Sequence, residues 1–246
     1  MNKLHQVINA HRSIRKYKNE PVKDKDMQML LDAVMHTPTS INGQQFSVIV
    51  IKNQDTKDQI ADLCGGQPWI SQAPVFLMFV ADYSKVATTL ENRGVKFENI
   101  DSIEASLVGA VDCGIAFGSV MNMAESLGYG IVPIGAVRRK PDQVIDLLKL
   151  PKYVYPILGM CIGVPDEDPQ LKPRFTPEMT IHQEVYSPVT QQQIDQYDKI
   201  VREYMDLRTG GTDVRSWSDL VTTVYSKVYF PEVLPSMSKQ GFTNKK

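Results

Sequence analysis

His11, Arg12, Ser13, Arg15 and Lys16 place three strong cations, an imidazole and a hydroxyl within the seven residues His11–Tyr17. An arginine fork matches phosphate oxygens, and the Ser13 hydroxyl adds a short-range donor and acceptor. A group of this size suits one phosphate and a neighbouring polar ring better than an extended polyanion. The same run also reads as a solvated basic surface at a helix end, where cations relieve the dipole.

Three further regions could complete such a site. Pro38–Phe46 brings two hydroxyls and three amides together just before a strand, including Ser40, Asn42 and Gln44. That set can satisfy the mixed donor and acceptor edge of a heterocycle, although the same residue types form ordinary turns. In Gly65-Gly66-Gln67-Pro68-Trp69 and in Gly128–Ala136, glycines let main chain approach a ligand closely. The second of these lacks the G-x-G-x-x-G spacing and becomes strand-like, so it does not read as a Rossmann fingerprint. Lys172 and Arg174 flank Pro173, which stiffens their connection. Alone they read as a surface pair.

The bulk composition narrows the function classes. The chain has 246 residues and a net charge of −1 from 27 basic and 28 acidic side chains. One large domain or two small ones are possible, and the electrostatic footprint of a nucleic-acid binder is missing. No apolar run is read as approaching a membrane span, and the first residues lack the apolar core of a signal peptide. Cys64, Cys113 and Cys161 lie far apart without a C-x-x-C pair. That pattern argues against a disulfide framework and for a cytoplasmic location. His5, His11, His36 and His182 show no metal-ligand spacing, and no metal is expected.

The elements that must position these groups follow from periodicity. Leu4, Val7, Ile8 and His11 sit at helical spacing, so a first helix ends where the basic cluster begins. Asp24 or Asp26 is expected to cap a helix with Met27, Leu30, Leu31, Val34 and Met35 on its apolar face. Residues 46–51 and 75–80 read as strands, the second buried on both faces. A helix spans Ile103 to Leu127 and closes at Gly128. Its Gly109, Gly114 and Gly118 suggest close backbone approach, in the centre of the fold or at a subunit interface. Ile131–Ile134 is a short strand whose Pro133 suits an edge, Pro141 opens a helix through Leu148, and residues 157–164 form a buried strand.

After residue 165 the prolines at 165, 169, 173 and 177 punctuate a long polar excursion. Thr190–Gln193 carries a capping-box pattern that opens a helix through Met205. Gly210-Gly211 breaks it, and a last helix is expected from Trp217 to Val228. This tail has little strand signal and is not expected to form its own core. Wrapping of the main body or of a second subunit is expected instead.

Taken in order, these segments resemble the FMN-dependent nitroreductase superfamily, and within it the NADPH-preferring nitroreductase and flavin reductase branch. The likeness rests on His11-Arg12-Ser13-Ile14-Arg15, Gly65-Gly66-Gln67, Glu125-Ser126-Leu127-Gly128-Tyr129-Gly130, Lys172-Pro173-Arg174, Tyr197-Asp198 and Trp217-Ser218-Asp219. It implies an α+β fold with a mixed central sheet flanked by helices. It also implies one nitroreductase-like domain over residues 1–246, in an intertwined homodimer with an extended arm from residue 165 onward. FMN would lie at the subunit interface. His11, Arg12, Lys172 and Arg174 would surround its phosphate, and Ser13 would meet the ribityl chain or ring edge. Arg15 would face N1 and the C2 carbonyl, where a fixed cation stabilises the charge of the reduced ring. Gln67 would bond the pyrimidine edge, and Ser40, Asn42 and Gln44 would come from the partner. Backbone of Pro133, Ile134, Gly135 or Ala136 would reach N5.

Two departures from the family pattern stand out. Pro133 replaces a bulkier, often aromatic residue, and the 38–46 stretch looks more like the wider superfamily than the serine-rich version in this branch. Arg208 and Arg215, flanking Gly210-Gly211, are the candidates for the extra phosphate of NADPH; a plain exposed loop is the alternative. No side-chain nucleophile is needed. The implied activity is ping-pong transfer of two electrons from NADPH, or NADH, through FMN to nitroaromatics, quinones or free flavin. A flavin-binding or flavin-delivering protein with little turnover is the competing reading. The expected partners are small-molecule acceptors and a second copy of the chain, with neither nucleic acid nor membrane.

Overall fold

The computed structural model describes residues 2–246, which divide into two units: one holds the chain up to Pro169 together with Phe230–Lys246, the other Gln170–Tyr229. The first unit opens with α1 (Lys3–Asn9), where the Asn2 side chain accepts from the Leu4 and His5 N–H groups. α2 (Asp24–Met35) buries Met27, Leu30 and Val34. Its N-cap is Lys23, not Asp24 or Asp26 as expected. Both carboxylates lie in the first turn instead, where they complement the dipole, and Asp26 accepts from Tyr129 Oη at 2.7 Å.

β1 (Phe46–Ile51), α3 (Gln54–Leu63), α4 (Pro68–Gln72), β2 (Val75–Asp82) and α5 (Ser84–Asn92) follow. α6 (Ile103–Ser126) ends at Leu127, and Gly128 takes the left-handed φ of +87° that closes it. β3 (Gly130–Ile134), α7 (Pro141–Leu148) and β4 (Val154–Gly163) complete this stretch. α8 (Gln191–Thr209) and α9 (Trp217–Tyr225) belong to the second unit, and α10 (Val233–Lys239) returns to the first.

The four strands form one sheet in the order β1-β2-β4-β3, with every ladder antiparallel. Outside these ladders, Ser13 forms an isolated parallel bridge to Ile131 on the outer side of β3. All eight residues of β2 are buried. Alternate side chains feed two cores, as a period of two requires: Phe76, Met78 and Val80 face one, and Val75, Leu77 and Phe79 the other. β4 starts three residues earlier than expected and carries Pro156 inside a central strand. The ladder tolerates the missing N–H because the register shifts between Phe79 and Val80, the latter paired with Pro156.

α6 corrects one expectation. It is 24 residues long with a mean hydropathy of 1.5 over its most apolar window, enough by length and composition to cross a membrane. One side, with Cys113, Ala116, Phe117 and Val120, packs into the core beside β2 and α2. A second correction concerns the tail. Within the second unit Phe175, Tyr197 and Trp217 pack in tilted and edge-on pairs with ring centroids 4.4–6.3 Å apart, together with buried Val201 and Met205, as a small core of its own. The capping box at Thr190–Gln193 forms, while α9 stops at Tyr225, short of Val228.

Candidate functional site

The basic run leaves α1, meets the outer edge of β3 at Ser13 and Ile14, and then pairs with residues 164–166 beyond the end of β4. Ile14 N donates to Ile131 O at 2.8 Å, Lys18 N to Val164 O at 2.9 Å, and Asp166 N to Lys16 O at 2.9 Å. Two glycines permit this approach. A Cβ on Gly130 would lie 2.6–2.9 Å from Ile14 side-chain atoms, and one on Gly163 would lie 2.7 Å from the Tyr17 ring. Tyr17 Oη donates to Ile14 O at 2.7 Å, and burial pushes its phenol pKa well above the ordinary value. The segment carrying His11, Arg12, Ser13 and Arg15 is therefore held as a fifth rung outside β3, not as a loose surface loop.

Carboxylates far away in sequence orient the cations. His11 Nδ1 lies 2.5 Å from Glu125 Oε1 on the last turn of α6. Arg12 Nη1 donates to Asp168 Oδ1 at 2.9 Å. Glu167 accepts from the Arg15 and Lys16 main-chain N–H groups. Two polar atoms here are buried without a partner, Arg12 Nε and Glu125 Oε2. An orphaned guanidinium N–H is costly unless an acceptor reaches it, so the cluster fits an anion. Glu125, Glu167 and Asp168 were not anticipated as part of this set. Their separations of 114, 152 and 156 residues from their partners carry no local signal.

Arg15 points toward the second region. Its guanidinium lies 5.5 Å from the Trp69 ring centroid, and Nη1 donates to Ser13 O at 3.3 Å. Trp69 sits in the first turn of α4, whose N-cap is Gln67. Gln67 Nε2 donates to Cys64 O at 3.0 Å, a bond that involves only the amide nitrogen of the side chain. The Arg139 guanidinium fills the space a side chain at Gly65 would occupy, tying this loop to the turn after β3. That turn, Gly135–Arg138, follows Ile134, with Pro133 exposed on the edge strand and Val137 buried. Cys64 beneath the loop is buried and its thiol is pushed up to about 12, so it is a packing residue rather than a nucleophile.

The Pro38–Phe46 stretch is placed elsewhere. Asp82 N donates to Gln45 O at 3.0 Å, and Ser40 N to the buried Asp112 at 3.3 Å. Ser13 is level with Val75 through Ile131 and Ile162, at the other end of β2. Seven residues of strand separate the two levels, roughly 20 Å. Ser40, Asn42 and Gln44 of one chain thus cannot join its own Arg15 and Gln67 around one small ligand. Ile41, Asn42 and Gln44 hold positive φ of 50°, 55° and 49°, and Ile41 is 96% exposed. A β-branched residue in that region is strained, and such strain gathers at functional segments.

In the second unit, Arg174 Nη1 donates to Lys172 O at 3.2 Å. Arg208 ends α8 and Arg215 precedes α9, both exposed. No group of three or more metal-ligating side chains occurs among the described residues.

Comparison with known proteins adds an independent line. Residues 8–164 match the family described as Nitroreductase family, and residues 172–245 its C-terminal domain. A Bacillus subtilis (strain 168) protein named FMN reductase [NAD(P)H] is 44% identical over 245 residues, covering 98% of each chain. A Salmonella typhimurium protein named oxygen-insensitive NADPH nitroreductase is 32% identical, again over 98% of each chain. The solved structure of B. megaterium NfrA2 superimposes over the whole of both chains with a TM-score of 0.97 at 40% identity.

Proposed function

Because the chain belongs to the Nitroreductase family, we propose that it is an FMN-dependent NAD(P)H oxidoreductase reducing nitroaromatics, quinones or free flavin. The observation that carries the reading is the edge-strand cation cluster with its buried, unpartnered Arg12 Nε, next to Arg15 over Trp69. Its donors fit a phosphomonoester at one end and a planar polar ring at the other. His11 and Arg12 would hold the phosphate. Ser13 meets the ribityl chain and Gln67 the pyrimidine edge. The main chain at Pro133–Ala136 faces N5; Pro133 itself offers no N–H, so a donor there comes from Ile134, Gly135 or Ala136.

When bound, FMN supplies hydride chemistry at N5, taking two electrons from a reduced nicotinamide and passing them to an acceptor in ping-pong order. The chain's own part is positional and electrostatic. Arg15 keeps a fixed positive charge at the pyrimidine side, held in place by Ser13 O and the Trp69 face. Open space beside Gly66 would leave room for either nicotinamide or acceptor. A merely flavin-carrying role has no observation in its favour.

The test is a spectrum. The purified protein is expected to be yellow, to bleach on anaerobic NADPH addition, and to recover colour with nitrofurazone or menadione. A colourless protein that added FMN cannot reconstitute would refute the proposal.

A second copy of the chain completes the site in this reading. α6 presents Ile103, Leu107, Val111 and Ile115 at four-residue spacing with 41–57% exposure, beside Gly114 and Gly118, which face open space. This stripe accounts for the membrane-like hydropathy of α6: one side meets the sheet and the other meets the partner. In such a dimer the partner's Ser40–Gln44 loop would be the one to approach Arg15 and Gln67. The near-zero charge supports small-molecule partners over nucleic acid, and a cytoplasmic location is part of the same reading. Val111→Asp would bury an unpaired charge in this interface, which is expected to weaken the dimer at least a hundredfold. Light scattering on a sizing column should then report the 27.7 kDa chain mass in place of twice that value. A dimer surviving at micromolar concentration would exclude the α6 face.

A further inference from the structure

Arg208 and Arg215 flank the turn that ends α8, and a third charged group lies between them. Asp213 Oδ1 accepts from Arg215 Nε at 2.9 Å and from Arg215 N at 3.0 Å, while Oδ2 accepts from Nη2 at 2.7 Å. This is the edge of the guanidinium fork that a phosphate engages in bidentate fashion. The main chain that carries the carboxylate is held in place. Gly210 closes α8 with a left-handed φ of +60°, and Asp213 N donates to Thr209 Oγ1 at 2.9 Å, which fixes the turn. Arg215 first, and Arg208 as well, draw the Asp213 carboxyl down to about 2, so its charge persists through the neutral range. Asp219 does not share this role: its carboxylate caps α9 through Ser216 and pairs with Arg202 at 3.4 Å.

We propose that Asp213 is a specificity-determining residue, an internal anion that occupies the Arg215 fork and so reduces the preference for NADPH over NADH. The proposal rests on the assignment of Arg208 and Arg215 to the 2′-phosphate of NADPH. A 2′-phosphorylated nucleotide must displace Asp213 from Arg215 or bind beside its negative charge. NADH, lacking that phosphate, is indifferent to either. Both arginines are exposed and Asp213 is half-buried at the surface, so the effect is modest. One unit charge a few ångströms away in water changes the affinity of an anion about fivefold.

Asp213→Asn keeps an oxygen to accept the Arg215 main-chain N–H and removes the charge. In the FMN-loaded protein it is expected to tighten 2′,5′-ADP binding about fivefold by calorimetry, with 5′-AMP binding as the reference. The ratio of kcat/KM for NADPH to that for NADH should rise by a similar factor, through KM rather than kcat. Arg215→Gln separates the two layers of the argument. If it leaves 2′,5′-ADP affinity unaltered, the phosphate assignment and the proposal with it are wrong. If it weakens 2′,5′-ADP while Asp213→Asn changes nothing or weakens it too, the phosphate assignment stands and the role of Asp213 is overturned.

Discussion

Arg15→Gln is expected to slow the NADPH-driven bleaching of bound FMN about 10²–10³-fold while FMN dissociation changes far less. The magnitude is that of removing one preorganised charge donor from a site where charge develops. Reduction places negative charge on the pyrimidine side of the ring, and Arg15 is the cation assigned there. Its position is set before any ligand arrives by the Ser13 carbonyl and the Trp69 face. In the proposed assignment, retention of FMN depends mainly on other groups: His11 and Arg12 toward the phosphate and Gln67 toward the ring. Anaerobic stopped-flow absorbance measures the first effect and fluorescence release of FMN the second. A bleaching rate equal to the unsubstituted protein's would remove Arg15 from this role. Arg15→Lys is an informative companion, because it keeps the charge and loses the guanidinium that lies over the Trp69 ring.

Gly130→Ala is expected to weaken FMN binding by roughly ten- to a hundredfold, out of proportion to its effect on the fold. The new methyl would meet Ile14 Cβ at 2.7 Å, an atom that cannot rotate away because it is attached to the main chain. Relief requires the whole His11–Arg15 rung to lift from β3, and overpacking of this kind costs about 1–3 kcal/mol. Because 1.4 kcal/mol corresponds to a factor of ten, that cost reads directly as lost affinity for a ligand held by the rung. Gly159→Ala provides the contrast. Its methyl would lie 2.2 Å from the fully buried Phe76 ring, in the middle of the sheet. That substitution should lower the melting temperature first. FMN titration and thermal melts of both variants distinguish a damaged cofactor rung from a damaged core.

Much of the framework was legible from local pattern. The uninterrupted apolar run at β2 announced a strand buried on both faces, and that strand carries both cores. Gly128 marked the end of α6, Pro141 the start of α7, and Thr190 with Gln193 the start of α8. α3, α5 and α10 went unread for physical reasons. α3 and α5 are largely polar, with few apolar residues to set a period, and α10 contains Pro235, tolerated because it falls in the first turn. The aromatic trio of the second unit was equally hidden, since Phe175, Tyr197 and Trp217 are about twenty residues apart and meet only when α8 and α9 pack.

Residue chemistry and spacing alone named the groups proposed to bind a phosphate and a polar ring, because charge, hydrogen-bonding capacity and backbone permissiveness belong to each residue type. They also settled the periodic elements, whose signal lies within a few residues. Strand register and packing decided the rest: that Glu125, Glu167 and Asp168 orient the cations, that Arg15 stacks on Trp69, and that Ser40–Gln44 stands at the far end of β2. Contacts across more than a hundred residues depend on how strands slide and which faces they bury, and no local pattern encodes that choice.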